Sequence, residues 1–244
     1  PSYMATREEA HSTRGRANAL RLVMAGRLAE AGLGDQGVYG VLDLCLQCRA
    51  CKAECPVGVD VSRFKSEFLA DYWRRHGTPL QARIFGNART LARWGSRLAP
   101  VSNWLTSAGA FRALGEWLLG LDRRRRLPVF QRRTLAHRAP RPDGPLDAIL
   151  FNDTFTNHYD PDVGLAAIDV LAAAGIRAGL APHGCCGRPQ ISKGLLADAR
   201  ALALLLLQDA KHARLADAIA ADAGGSPYLI DELCRYGSEE RSQV

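Results

Sequence analysis

Cys45-Leu46-Gln47-Cys48-Arg49-Ala50-Cys51-Lys52-Ala53-Glu54-Cys55-Pro56 is the stretch on which the reading of this chain turns. Its four thiols are separated by two, two and three residues, and a proline follows the last. That is the bacterial run of ligands to a [4Fe–4S] cube. A cube has four irons, each of which takes one thiolate, and cysteines three apart on a wrapping loop reach successive corners while backbone N–H groups face the sulfides. The competing reading is a structural zinc site, but zinc usually takes two separated Cys-x-x-Cys knuckles, and an unbroken triplet of steps suits a tetrahedron poorly. In two-cluster proteins the cysteine before the proline serves the other cluster, so Cys55 is either the fourth ligand here or a ligand of a second cube.

The remaining cysteines agree with thiolate chemistry in a reducing compartment. Seven is an odd number, Cys185 and Cys186 are adjacent, and Cys234 stands alone. A fully paired disulfide framework is therefore excluded, and a cytoplasmic setting is expected. Across 244 residues the composition is 47% hydrophobic and 23% charged, which suits a folded globular protein rather than a disordered one. The net charge is +7, carried mostly by arginine. It reads first as a solvated basic face and secondarily as a surface for nucleic acid, an anionic membrane or an acidic partner.

Outward from the cluster run, helical periodicity dominates. Ser12 or Thr13 can cap a helix carrying Leu20, Val23 or Met24, and Leu28. Asp60 can cap a second helix with Phe64, Phe68 and Tyr72 on one stripe, ended by Gly77 and Pro79. Ala82–Leu98 and Trp104–Leu121 read as amphipathic helices whose tryptophans pack, with Arg123–Arg126 as a basic linker; lying on a membrane surface is the weaker reading. The segment Gly32-Leu33-Gly34-Asp35-Gln36-Gly37 matches a dinucleotide-loop pattern but follows a helix rather than a strand, so it reads as a helix-ending loop.

After the proline-rich stretch Pro140–Pro145 the period changes. Ala148–Phe151 reads as a strand, Asp162 as the cap of a helix over Val163–Ala174 closed by Gly175, and Ile176–Ala181 as a second strand. Cys185-Cys186-Gly187 follows this βαβ-like unit, ahead of a helix from about Ser192, at the end of the strands where ligand sites collect. Asp153 and Thr154 are candidate lining residues on the same rule. His158 and His183 read as surface residues without a role. No apolar run is long enough to span a bilayer.

Three stretches together resemble one family. They are Pro1–Glu9 (PSYMATREE) with His11–Arg16 (HSTRGR), the cluster run, and Asn152–Asn157 (NDTFTN) with Cys185–Pro189 (CCGRP). In their order they resemble the C-terminal iron–sulphur portion of FAD-linked D-2-hydroxy-acid dehydrogenases, which oxidise D-lactate or D-2-hydroxyglutarate. A more distant similarity is to the iron–sulphur subunits of glycolate oxidase and anaerobic glycerol-3-phosphate dehydrogenase and to the cysteine-rich (CCG) domain of heterodisulfide reductase. The likeness covers roughly residues 1–200 and falters beyond about Ala203. It implies that the chain opens on the proline of an earlier Cys-Pro, so that further cysteines and an FAD domain lie upstream, and that one or both clusters are incomplete in this chain alone. Cys185 and Cys186 match a motif that binds a further cluster in some relatives; here a ligand pair and a buried inert pair stand as equals. Ser12, Thr13, Arg14 and Arg16 match a family motif, for which capping and pairing with Glu8 or Glu9 is the plain account.

The expected fold is mainly α: a helical ferredoxin-type [4Fe–4S] domain over 1–78, a helical Arg-rich connector over 79–145, a truncated α/β cysteine-rich CCG domain over 146–208 and a tail over 209–244. The resemblance implies an electron-transfer module bearing one [4Fe–4S] cluster or two through Cys45, Cys48, Cys51 and Cys55, with no catalytic residue of its own. Its partners would be an FAD-binding domain or flavoprotein subunit and an acceptor such as a quinone or cytochrome, without nucleic acid. It would reside in the cytoplasm, with peripheral contact to the inner face of the membrane compatible. A separate iron–sulphur subunit is the alternative, and a non-redox binding protein stabilised by a cluster is a lower one.

Overall fold

The structure is a computed structural model, and it describes residues 2–27, 34–181 and 185–207. Leu28, Gly32, His183, Cys234 and the expected tail over 209–244 lie outside the described residues. The chain divides into two compact units, one running to Gly86 and resuming at Gly187, the other spanning Asn87–Cys186. It is mainly helical, with a single small sheet among the described residues.

The first unit opens with α1 (Ser2–Thr6) and a 3-10 turn (Glu9–His11) before α2 (Thr13–Met24). Ser12 caps α2 by accepting from the Gly15 N–H, and Arg14 pairs with Glu9 at 2.8 Å, as the plain account of that motif expects. Next come α3 (Gln36–Asp43), capped by Asp35, then the short α4 (Ala50–Glu54) and the long α5 (Val61–His76), capped by Asp60 and closed at Gly77. The chain continues into α6 (Leu80–Gly86). The core gathers Leu20 and Val23 from α2, Val38 and Leu42 from α3, and Phe68, Leu69 and Tyr72 from α5. Tyr39 stacks on Tyr72 with ring centroids 4.9 Å apart, and Phe68 lies 5.6 Å from the same ring. Phe64, expected on the buried stripe, is half-exposed, and Met24 rather than Val23 is the residue left outside. The buried face of α5 runs instead through Val61, Ser62, Lys65, Phe68, Leu69 and Tyr72, which leaves Phe64 at its edge.

The second unit starts with α7 (Ala88–Arg97), α8 (Val101–Ser107) and α9 (Gly109–Leu119). The two long helices expected here are thus each broken, Ala82–Leu98 at Asn87 and Trp104–Leu121 at Ala108. Trp104 and Trp117 are 71% and 80% exposed and no residue of α8 or α9 is buried, so these tryptophans do not pack as expected. After α10 (Leu135–Arg138) the βαβ-like reading holds: β1 (Ala148–Leu150), α11 (Thr154–His158), α12 (Pro161–Ala173) and β2 (Ala178–Leu180). The strands are parallel, with Ala148 opposite Ala178 and Leu150 opposite Leu180. The second helix starts earlier than expected, because Pro161 takes the first helical turn, where its missing N–H costs nothing, and Asp160 rather than Asp162 precedes it. Back in the first unit, α13 (Arg188–Ser192) and α14 (Leu196–Leu207) replace a single helix starting near Ser192. Gly194, at φ +72°, makes the turn between them and lies directly against Leu69. The Trp73 indole donates to the Lys193 carbonyl beside it at 2.8 Å.

His158 is buried, contrary to the surface position expected of it. Asn157 Oδ1 accepts from the Ala136 N–H at 2.9 Å, which turns its amide nitrogen toward His158 Nε2 at 3.1 Å. Nε2 is then the acceptor, Nδ1 carries the proton, and it donates to Ser96 Oγ at 2.9 Å. Burial first, then the nearby Arg89, Arg93 and His137, pushes His158 down to about 4. The folded pKa lies below the unfolded value near 6.5, so the unfolded chain binds the extra proton. Stability is therefore fully present above about pH 6.5 and falls by on the order of 2–3 kcal/mol as pH drops toward 4. His158→Gln is expected to flatten that slope in urea titrations across the window. In the other unit, Leu42→Ala at the fully buried α3 position is expected to cost about 2–5 kcal/mol, against little for Met24→Ala.

Candidate metal centre

The cysteine run occupies the turn between α3 and α5. Cys45 follows α3, its N–H donating to the Leu42 carbonyl at 3.0 Å. The backbone then enters the left-handed region at Gln47 (φ 52°) and Arg49 (φ 61°), on either side of Cys48. Non-glycine residues rarely sit there, and such conformations persist only where surrounding contacts over-determine them. Cys51 lies on α4, and Cys55 ends it. The Gly58 N–H returns to the Cys55 carbonyl at 3.0 Å.

The contacts that hold this turn come from the start of α5. Asp60 Oδ1 accepts from the N–H groups of Ser62 and Arg63 at 2.9 and 3.2 Å, while its other oxygen takes the Arg49 guanidinium at 2.9 Å. The Gln47 amide is buried and donates to the Ser62 carbonyl at 3.2 Å and to Ser66 Oγ at 2.9 Å. Lys65, also buried, donates its ammonium to the carbonyls of Asp43 and Cys45, both at 2.8 Å. Ser2 Oγ reaches the Leu44 carbonyl at 2.5 Å from α1. Both left-handed residues are thus tied by their side chains to the start of one helix.

The thiols are unpaired. Cys48 is exposed, and Cys45, Cys51 and Cys55 are half-buried. At Cys55 the N–H groups of Val59 and then Val57, with a smaller share from Gly58, hold the thiol below its ordinary pKa and favour thiolate. Behind the loop, Arg16 is buried on α2. Its Nε donates to the Val41 carbonyl at 3.2 Å, while its buried Nη2 has no hydrogen-bond partner. Burial pulls Lys65 below its usual value, opposed by the charges of Cys45 and Asp43 and reinforced by Lys193 and Arg16. The donor set therefore suits an anionic, thiolate-ligated group: four free thiols on one turn, N–H groups aimed at one sulfur, and two buried cations behind. Among the described residues no group of three or more Cys, His, Asp or Glu side chains stands arranged to hold a metal ion.

Cys185 is buried and Cys186 half-buried, just past β2, and Gly187 (φ +71°) leads into α13. The second unit contains no other cysteine. Asp153 is engaged as the cap of α11, accepting from the N–H groups of Phe155 and Thr156, and Thr154 is buried. Sequence reasoning left Arg16 and Lys65 without chemistry. Arg16 stood out only as the end of the HSTRGR stretch, and Lys65 was not singled out at all.

Comparison with known proteins finds D-2-hydroxyglutarate dehydrogenases. That of Pseudomonas putida is 28% identical over 80% of this chain and 24% of its own length. That of Escherichia coli is 24% identical over the same shares. The Haemophilus influenzae protein is 31% identical over 34% of this chain and 8% of its own. The likeness supports the D-2-hydroxy-acid dehydrogenase family. The chain spans about a quarter of the length of the Pseudomonas putida and Escherichia coli relatives. No family model and no solved structure matches it. No helix among the described residues is long and apolar enough to cross a membrane.

Asp60→Ala removes a helix cap and leaves the Arg49 guanidinium without its carboxylate. It is expected to cost about 1–2 kcal/mol in urea unfolding. Glu54→Ala, at an exposed position of α4 without such contacts, is expected to be near neutral and serves as the control.

Proposed function

We propose that this chain is the iron–sulphur electron-transfer module of an FAD-linked D-2-hydroxy-acid dehydrogenase. The observation that carries the reading is the four-thiol turn itself, spaced two, two and three, closed by Pro56 and clamped to the start of α5. Cys45, Cys48 and Cys51 would hold a [4Fe–4S] cluster, with Cys55 either completing it or serving a second cube. Such a cluster supplies one-electron exchange at a potential set by hydrogen bonds, charge and solvent exposure.

The chain's own residues supply the surroundings. Val57, Gly58 and Val59 present N–H donors to the Cys55 sulfur, which stabilise negative charge there. Lys65 and Arg16 place buried positive charge behind the loop, favouring an anionic group at the cysteines. Gln47 and Arg49 fix the backbone between the first two cysteines and α4, so the sulfurs hang from a braced frame. The gathering of the thiols would then come with the group they bind, since metal binding and the ordering of its site are coupled. No residue here is assigned as a general base or nucleophile. The chain would stand between an FAD-bearing domain or flavoprotein chain and an acceptor such as a quinone or cytochrome, and Cys185 and Cys186 would remain inert or join ligands supplied elsewhere.

Anaerobic reconstitution with iron and sulfide, followed by metal and acid-labile sulfide analysis and EPR of the reduced protein, tests this. About four irons and an equal amount of sulfide per chain mean that Cys55 completes the cube, as one cube requires, whereas a labile, under-filled iron–sulfide site means that Cys55 serves a second cube whose other ligands lie elsewhere. Cys48→Ser, at an exposed position, should lose most of that iron while keeping the wild-type unfolding midpoint of the metal-free chain. Tightly held zinc without sulfide would refute the reading. The chain alone should oxidise no D-2-hydroxy acid with an artificial dye as acceptor.

A further inference from the structure

In the second unit, α7 carries Arg89, Arg93 and Arg97 at four-residue intervals along one edge of a cavity of about 560 Å³. The loop ahead of α10 adds Arg132 to its lining, and α10 adds His137. No aspartate or glutamate lines this cavity, and among the described residues none pairs with these four arginines. Arginines spaced in this way along a surface helix ordinarily face water and need no partner. What sets this place apart is the wall beneath them. Asn152, just past β1, is only 6% exposed there, and its Oδ1 has no hydrogen-bond partner. A buried acceptor left unpaired costs free energy that a ligand donor would recover.

Beside it, Ser96 Oγ is held by the His158 Nδ1–H, which leaves the serine hydroxyl proton free to be given to something in the cavity. His158 is itself locked neutral by Asn157 and Ala136, so it does not compete for the anion. The site thus offers guanidinium charge, one donor hydroxyl and one acceptor amide oxygen. We propose that this cavity binds a small oxyanion that carries its own O–H group, a protonated phosphate or a hydroxyl-bearing carboxylate. The guanidiniums take the charged oxygens, and the ligand O–H donates to Asn152 Oδ1. This ligand is distinct from any group held at the cysteine turn, and the inference stands or falls independently of it.

Inorganic phosphate and sulfate separate the terms, since monohydrogen phosphate and sulfate are dianions of nearly one size and only the former has a proton to give. Calorimetric titration of the full chain at low ionic strength and neutral pH is expected to show phosphate binding roughly tenfold tighter than sulfate. The affinity should weaken as salt is raised. Arg93→Gln, at an exposed position, should weaken phosphate roughly tenfold without moving the thermal midpoint. Asn152→Leu should bring phosphate and sulfate to equal affinity; if that variant does not fold, the wild-type ratio and Arg93→Gln decide alone. Malate against succinate repeats the comparison for carboxylates, and whichever of malate and phosphate binds more tightly identifies the source of the oxyanion. Equal binding of phosphate and sulfate by the wild-type chain, or phosphate affinity untouched by Arg93→Gln, would overturn the proposal. So would tight binding of a short DNA duplex with no measurable binding of phosphate, which would make the arginines a nucleic-acid surface.

Discussion

The grip of α5 on the cysteine turn is the constraint from which the rest of the first unit follows. A loop that doubles back through two left-handed residues exposes backbone groups that no regular element satisfies. Asp60, Ser62, Lys65 and Ser66 meet that need from the cap and the first two turns of one helix, and they do so through side chains and the helix's own carbonyls. The same helix supplies Phe68, Leu69 and Tyr72 to the core. One element therefore transmits the rigidity of the apolar core to an otherwise irregular turn. The cofactor frame proposed here would need that support, because ligands are positioned by the contacts behind them rather than by their own bonds.

Much of this was legible in the sequence, for local reasons. Ser12, Asp60 and Gly77 announce helix ends through side-chain and backbone chemistry that acts within three or four residues. The parallel βαβ unit was readable from the change of apolar period after Pro145, although Pro161 moved the start of its helix. The breaks at Asn87 and Ala108 were not legible, because a continuous amphipathic pattern does not record where a helix must bend to pack. The tryptophans of α8 and α9 misled for a related reason: an apolar stripe states that a face can be buried, while burial needs a facing element.

At the candidate centre the four cysteines and their spacing were plain in the sequence, and the contacts that brace their turn were not. Gln47 and Arg49 look like ordinary polar fillers between cysteines, and only the fold shows each side chain reaching the start of α5. Lys65 and Arg16 lie on different helices, on opposite sides of Cys45 in the sequence, and converge behind the loop only once α2 and α5 pack. His158 failed as a surface residue because its burial depends on Ser96, sixty-two residues away. The arginines of α7 read as a solvated face for the same reason, since Asn152 and Arg132 are brought beside them by tertiary structure alone.

The two clusters of positive charge differ in burial, and burial separates what each can hold. Arg16 and Lys65 are removed from water, with carbonyls as their described acceptors. A buried cation without a compensating charge is costly, so its counter-charge must be resident, built into the same fold and present whenever the chain is folded. The Asp43 carboxylate meets part of that condition for Lys65, and thiolates of the proposed cluster would meet the rest. Arg93, Arg97 and Arg132 are exposed, keep most of their hydration when nothing is bound and are screened by salt. Their counter-charge can come and go at small cost to the fold. The anionic group proposed at the cysteines and the exchangeable anion proposed at α7 would thus be two consequences of one electrostatic rule acting at different depths.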